Sequence, residues 1–214
     1  MYLTNIPQEI DQYGFCKTLL VRREVIHIKH IMTEIFTRKS IDITAQLNSI
    51  GWDMFKYMEF ITHRLKHIHK IDRGYTHDIN KIVKENRSNF FPHLNLYKGL
   101  ETLIVLDFDG VVTKKSFEPL YNLLLDRGKV EICSANPTIE KEYFINRSLR
   151  LPRNIHSCKG KVKKLNCLIY LSQKNDFTFF IDNEDKYLEI AWLFGIKTFK
   201  YENSKIINFT LKTK

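Results

Sequence analysis

The segment Leu103–Val112, LIVLDFDGVV, constrains the fold of this chain most strongly, because an apolar run ends abruptly in two carboxylates. A continuous apolar run without alternation is typical of a strand that is buried on both faces of a parallel sheet. Asp107 and Asp109 come at the end of that strand, and open parallel sheets bind ligands beyond the carboxyl ends of their strands. The segment therefore predicts a parallel α/β fold with both aspartates in a functional site.

The rest of the second half, residues 99–214, alternates apolar runs with amphipathic segments. This alternation predicts βαβ crossovers and a Rossmann-like parallel sheet. Strands are predicted at Leu103–Phe108, Val130–Cys133, Phe177–Ile181 and Lys197–Tyr201. Helices are predicted at Phe117–Asp126, Thr138–Leu149, Lys161–Leu171 and Asp185–Phe194.

The first half, residues 1–98, has a different pattern. Apolar residues recur at helical spacing over about 8–37 and again from Ser40 or Asp42 to about 71, and a shorter helix is expected over about 76–87. We expect an all-helical domain over residues 1–98, which serves as a lid or binds a partner. The mixed segment 88–100 is the expected connector to the second domain, residues 99–214.

Polar residues recur where the predicted strands of the second half end. They are Asp107 and Asp109 after the first strand, Ser134 after the second, Lys159 before a helix, and Asp182 and Asn183 after FTFFI. In a parallel sheet all of these positions fall at one edge. Carboxylates that converge there repel one another, and a hard cation such as Mg²⁺ relieves the repulsion through oxygen ligands.

In this order, the segment DFDGVV, a strand that ends in serine, a lysine and the segment IDNED resemble the four motifs of the haloacid-dehalogenase-like (HAD) hydrolase superfamily. The resemblance covers residues 101–201 and implies a HAD-like core with phosphatase chemistry. It implies that Asp107 is a nucleophile that forms an aspartyl-phosphate. It further implies that Asp109 transfers the proton and lends its backbone carbonyl to the metal, and that Ser134 binds the phosphate.

The third and fourth motifs leave alternatives open. Lys159 resembles the third-motif lysine most closely, and Lys161 is the second candidate. The fourth motif departs from the commonest GDxxxD form and is similar to a DN variant found in phosphatases of the RNA polymerase tail. That variant implies a metal role for Asn183, assisted by Asp182 or Asp185. The resemblance thus implies Mg²⁺ as cofactor, with the ligand set Asp107, Asp109, Asn183 and Asp182.

The spacing of the motifs leaves no room for an inserted cap domain, because residues 110–133 and 135–158 each hold one helix and its connections. The expected enzyme is therefore a capless HAD-like phosphatase with an open site. The 34 Lys and Arg residues against 24 Asp and Glu, a net charge of +10, favour a nucleotide or a nucleic-acid phosphate end as substrate. A phosphoprotein phosphatase and a non-catalytic binding or regulatory protein with the same fold are the alternatives.

The four cysteines, Cys16, Cys133, Cys158 and Cys167, contain no CxxC pair. We expect reduced thiols in a cytoplasmic protein, not a disulfide framework, with Cys133 buried in its apolar run. The N-terminal sequence lacks the pattern of a signal peptide, and no apolar run approaches the roughly 20 residues that span a bilayer. No membrane association is expected.

Overall fold

The computed structural model describes residues 40–64, 102–175 and 177–209. The predicted helices over about 8–37 and 76–87, the connector 88–100 and the domain boundary at residue 98 lie outside these ranges. None of the helices in the described ranges combines the length and the apolar character that a bilayer crossing needs.

The described chain contains six helices, six strands and two short turns of helix-like backbone. The helices are α1 (Ser40–Asn48), α2 (residues 54–64, where the described range stops), α3 (Glu118–Arg127), α4 (Glu142–Asn146), α5 (Lys161–Lys174) and α6 (Asp185–Leu193). The strands are β1 (Thr102–Leu106), β2 (Lys129–Ser134), β3 (Asn154–Ser157), β4 (Phe177–Asp182), β5 (Lys197–Glu202) and β6 (Lys205–Asn208). Phe108–Val112 and Lys115–Phe117 form the two short turns between β1 and α3.

The strands form one sheet in the order β3-β2-β1-β4-β5-β6. All neighbouring pairs from β3 to β5 are parallel, and β6 runs antiparallel to β5. The chain moves outward from β1 to β3, then crosses back to β4, so the strand order reverses between β1 and β4. Ligands of open α/β sheets bind at such a switch point. The predicted parallel α/β fold is confirmed, except that the edge strand β6 is antiparallel.

Helices cover both faces of the sheet. Right-handed crossovers in opposite directions put α3 and α4 on one face and α5 and α6 on the other. Tyr121 of α3 and Phe144 of α4 lie with ring centroids 6.1 Å apart, and Lys164 of α5 lies 3.9 Å above the Tyr187 ring of α6. Because each strand face has a helical layer, the central residues Leu103–Leu106 of β1 are at most 1% exposed.

The helices α1 and α2 pack against the outer side of α5 and α6. The Trp52 indole lies edge-on to Phe194, with ring centroids 4.8 Å apart, and its Nε1–H donates to Asn166 Oδ1 at 2.9 Å. The buried Tyr57 hydroxyl donates to Leu193 O at 2.5 Å. Residues 40–64 therefore share the hydrophobic core of the α/β sheet, although the lid or partner-binding role of the first half stays a prediction.

Several element boundaries differ from the sequence prediction. The helix expected from Ser40 to about 71 is interrupted at 49–53, because Gly51 takes a left-handed conformation (φ +78°) and Asp53 Oδ1 accepts the Lys56 N–H at 2.7 Å. The helix expected over Thr138–Leu149 is limited to α4. There Asn136 Oδ1 accepts the Thr138 N–H at 3.0 Å, which stabilises a turn instead of the first helical turn.

The edge strands β3 and β6 were not predicted. β3, NIHS, has a single apolar residue, so it lacks the pattern of a buried strand. β6 follows a two-residue turn in which Asn203 and Ser204 both have positive φ, 50° and 61°. That geometry is typical of a tight hairpin, and it explains why an antiparallel strand closes this edge of the sheet.

Candidate active site

A wide turn, Phe108–Val112, begins directly after Asp107 and contains Asp109, so the two aspartates of the DFD segment have different surroundings. The Asp107 N–H donates to Ile181 O at 2.9 Å, which keeps Asp107 in line with the sheet, and the Thr113 N–H reaches Phe108 O at 3.0 Å to close the turn. Gly110 has φ +83° within it, and its N–H donates to Thr113 Oγ1 at 2.9 Å. Asp107 is consequently 3% exposed, whereas Asp109 faces solvent.

Asp107 and Asp182 meet at the switch point of the sheet. The β1–β4 register pairs Leu106 with Ile181, so the residues that follow them lie side by side on the α5 face. Lys164 Nζ lies 2.7 Å from Asp107 Oδ1 and 2.7 Å from Asp182 Oδ2. The side chains of all three are at most 5% exposed. One buried ammonium group therefore joins two buried carboxylates.

The trio of Asp107, Asp182 and Lys164 contains two carboxyl groups and one ammonium group. Burial and this imbalance of charge shift the pKa values of all three. Burial and the neighbouring Asp182 raise the pKa of Asp107 to about 7, although Lys164 acts in the opposite direction. Burial likewise raises the pKa of Asp182 against the effect of Lys164. Burial alone would favour neutral Lys164, but Asp182 and Asp107 outweigh it and raise the lysine pKa. The trio holds an excess of negative charge, which an added cation can offset.

The lysine that contacts Asp107 is Lys164, not Lys159 or Lys161. Lys159 is exposed, in a loop with φ 54° that precedes α5, and Lys161 is exposed on its first turn. Lys164 lies on the buried stripe of α5, which also contains Leu165, Leu168, Ile169 and Ser172. Helical spacing puts Lys164 in phase with these apolar positions, but it also puts Lys161 in phase with Leu165 and Leu168, so the pattern alone does not choose between the two lysines.

Ser134 and Asp109 come together at the end of β2. Ser134 Oγ donates to Asp109 Oδ2 and Asn136 Nδ2 donates to Asp109 Oδ1, both at 3.4 Å. These bonds are long and therefore weak, so Asp109 can change partners readily. Ser134 Oγ also accepts the Asn136 N–H at 3.2 Å. The sequence analysis did not single out Asn136.

Asn183 and Gly110 form the part of the site that fits a hard cation. Within the described part of the chain, Asn183 Oδ1 is buried and has no hydrogen-bond partner. A Cβ at Gly110 would lie 2.6 Å from that oxygen, so only glycine lets the turn approach it. An orphaned amide oxygen next to the excess negative charge of Asp107 and Asp182 matches the oxygen donors that Mg²⁺ prefers.

The two acids proposed to assist Asn183 already have partners. Asp182 Oδ2 accepts from Lys164, and its Oδ1 accepts the Glu184 N–H at 2.8 Å. Asp185 forms an ion pair with Lys200 Nζ at 3.1 Å. Asp182 is therefore better described as the second acceptor of Lys164, and Asp185 as the ion-pair partner of Lys200.

No protein-family model, curated protein or solved structure matches this chain. The resemblance to HAD hydrolases therefore stays a prediction that rests on the four motifs. The geometry adds that Asp107, Asp109, Ser134, Asp182 and Asn183 share the carboxyl edge of one sheet, together with Lys164. It does not bring Lys159 into contact with Asp107.

Proposed function

We propose that the chain is a Mg²⁺-dependent phosphohydrolase that works through an aspartyl-phosphate on Asp107. The observation that carries this proposal is the buried Lys164 ammonium, 2.7 Å from both Asp107 and Asp182, at the switch point where ligands bind. A carboxylate that attacks phosphorus needs a fixed position and a nearby positive charge to receive the phosphoryl oxygens. Lys164 provides both.

The side chains support a two-step reaction. Lys164 holds Asp107 Oδ1, so we assign the attack on phosphorus to Asp107 Oδ2, while Ser134 Oγ and Lys164 Nζ bind phosphoryl oxygens. Asp109, which is exposed and weakly held, gives its proton to the leaving alkoxide. In the second step Asp109 takes a proton from water, the hydroxide attacks phosphorus, and Asp107 departs as a carboxylate. The products are an alcohol and inorganic phosphate.

Mg²⁺ would be held by Asp107, the Asp109 backbone carbonyl and Asn183 Oδ1. When bound, it neutralises phosphoryl oxygens and offsets the charge that the trio leaves uncompensated. Asn183 is neutral, so this ligand set has one carboxylate fewer than an all-acidic set. We therefore expect weak Mg²⁺ binding, with activity that rises over millimolar concentrations of the ion.

The expected substrate is a nucleotide or a nucleic-acid phosphate end. Exposed lysines lie beside the carboxyl edge of the sheet, at Lys114, Lys115, Lys159, Lys161 and Lys163. They follow the β1 turn or begin α5, so they flank the entrance to the site. A row of positive charges beside a binding site attracts polyanionic ligands more strongly than sugar monophosphates, which carry less negative charge.

Hydrolysis of a chromogenic aryl phosphate by the purified chain tests the reaction. We expect turnover that requires Mg²⁺, stops with EDTA and is lost in Asp107→Asn and Lys164→Met. Lys159→Met, a change of the same type at an exposed lysine, should retain turnover. Borohydride should convert residue 107 of the phosphorylated enzyme into homoserine, which mass spectrometry identifies.

Other outcomes would favour the alternatives. Turnover that does not need Mg²⁺, or that survives Asp107→Asn, would contradict the proposed chemistry. Absence of phosphate release across nucleotides, nucleic-acid ends, sugar phosphates and phosphopeptides would favour a non-catalytic binding protein. Release from phosphopeptides alone would favour a phosphoprotein phosphatase.

The lysine row is tested separately from the chemistry. The double variant Lys159→Gln, Lys161→Gln should weaken binding of single-stranded oligonucleotides and lower the slope of log affinity against log salt, because each lost phosphate contact releases one counterion fewer. The double variant Lys174→Gln, Arg150→Gln removes the same amount of positive charge, but it changes exposed residues at the opposite edge of the sheet, at the end of α5 and before β3. Equal effects from the two double variants would argue against this substrate class.

A further inference from the structure

Three of the four cysteines converge on the α5 face of the sheet, and none of them is a residue of the candidate active site. Cys133 comes from β2, Cys158 follows β3, and Cys167 lies on α5. Their Sγ atoms all lie within 4.8 Å of one another. Nothing in the sequence spacing indicates this cluster, because it depends on three separate elements.

The sheet and the helix together hold the thiols in place. The β2–β3 register pairs Cys133 with His156, and the Cys158 N–H donates to Ser134 O at 2.9 Å, which extends that pairing to Cys158. Cys133 Sγ–H donates to Lys164 O at 3.5 Å, one turn before Cys167 on α5. The cluster is therefore fixed by backbone contacts on both sides.

The spacing of the sulfur atoms fits a tetrahedral metal site. Cys133 Sγ and Cys158 Sγ lie 3.8 Å apart, whereas a disulfide requires about 2.05 Å. Thiolates bind Zn²⁺ at about 2.3 Å in a tetrahedron, and the edge of that tetrahedron is about 3.8 Å. The Cys133–Cys158 pair thus has the separation of two metal ligands, and Cys167 Sγ lies within 4.8 Å of both sulfur atoms.

The surroundings suit a thiolate site that an ion can reach. Cys133 is buried, while Cys158 and Cys167 are partly exposed, so an ion can enter from one side.

We propose that Cys133, Cys158 and Cys167 bind a thiophilic divalent cation, Zn²⁺, as a tetrahedral site whose fourth ligand is water. This site is separate from the Mg²⁺ site of the proposed function. Soft sulfur ligands select Zn²⁺, whereas the oxygen donors of the active site select Mg²⁺. Because the ion would join β2, the end of β3 and α5, it would stabilise the fold next to Ser134 and Lys164.

A titration of the reduced, metal-free chain with Co²⁺ tests the site without relying on activity. We expect one Co²⁺ per chain, with thiolate charge-transfer bands in the near ultraviolet and the intense visible bands of tetrahedral cobalt. Zn²⁺ should then displace Co²⁺ and bleach the bands. An excess of Zn²⁺ near a hundred times Kd should raise the Tm by roughly 5–10 °C.

Cysteine variants locate the ion. Cys158→Ser and Cys167→Ser, at the two partly exposed positions, should remove the bands, whereas Cys16→Ser should leave them unchanged. Loss of the bands in Cys16→Ser with retention in Cys167→Ser would overturn the proposal, because the ion would then bind elsewhere. Absence of Co²⁺ and Zn²⁺ binding by the fully reduced chain would also overturn it. So would mild oxidation to a Cys133–Cys158 disulfide in a chain that binds neither ion, since the cluster would then be a redox pair.

Discussion

Replacing Lys164 with methionine tests the centre of the candidate site, because its ammonium group is shared by two buried carboxylates. Asp107 is 3% exposed and Asp182 is 0% exposed, so water cannot replace the lost charge. Removing one partner from a buried ion pair costs about 3–5 kcal/mol, and methionine fills most of the vacated volume. We expect the free energy of unfolding to fall by about 4 kcal/mol at pH 8, a large part of the usual total.

The size of this loss should depend on pH. Burial and Asp182 already raise the pKa of Asp107 from 3.8 to about 7 while Lys164 opposes them, so removing Lys164 raises it further. A carboxyl group whose pKa is higher in the folded than in the unfolded state contributes its full stabilisation at pH values below its pKa in the unfolded state, about 4. That contribution is lost as the pH rises through the folded pKa. The destabilisation by Lys164→Met should therefore be larger at pH 8 than at pH 5.

Urea unfolding followed by tryptophan fluorescence at pH 5 and pH 8 measures both the size of the destabilisation and its dependence on pH. EDTA in the buffer prevents divalent cations from binding the site and changing the measured stability. Lys163→Met is the matched control, because Lys163 is the exposed neighbour and its loss should change stability by no more than about 0.5 kcal/mol. Equal destabilisation by the two variants would refute the buried trio. A destabilisation by Lys164→Met that is larger at pH 5 than at pH 8 would refute the proposed charges of the trio.

Three further changes test the surrounding structure. Gly110→Ala should cost about 1–3 kcal/mol for its positive φ and should weaken Mg²⁺ activation, because the new Cβ lies 2.6 Å from Asn183 Oδ1. Gly51→Ala has similar backbone strain (φ +78°), but its new Cβ would have no atom within 4 Å. Unchanged Mg²⁺ activation in Gly51→Ala would therefore show that the effect of Gly110→Ala comes from the clash with Asn183. Trp52→Ala should cost about 3–5 kcal/mol in urea unfolding, whereas Phe55→Ala, at an 82% exposed side chain, should cost almost nothing. Tyr57→Phe should cost about 1–3 kcal/mol, because Leu193 O loses its buried donor.

The sequence was sufficient to predict the central sheet because the buried strands have distinct patterns. LIVL of β1 and FTFFI of β4 lack regular alternation and contain Thr178 as their one polar residue, and such runs are typical of a parallel sheet covered on both faces. The same reasoning failed for β3, since Asn154 and His156 face the buried Glu131 and a strand with polar partners looks like a loop. Tertiary contacts, not local pattern, define that edge.

Part of the candidate site was also accessible from the sequence. Asp107, Asp109, Ser134 and Asn183 end strands, and the edge at which parallel strands end follows from topology. Lys164 was not identified, because three lysines in KVKKL compete and only packing decides which of them turns inward. The thiol cluster could not be predicted from the sequence for a related reason, because Cys133 and Cys158 come together only through strand β3, which was not predicted.

The alternation of side chains along β2 connects the two proposed sites. Cys133 faces α5 and the thiols, and the next residue, Ser134, reaches Asp109 at the carboxyl edge. On α5, Lys164 and Cys167 are three residues apart, so both face the sheet one turn from each other. Because the sites share backbone but no ligand, Cys167→Ser should lower stability and Zn²⁺ binding while aryl-phosphate hydrolysis persists. Loss of hydrolysis in Cys167→Ser at a temperature where the variant remains folded would mean that the thiols belong to the catalytic site itself.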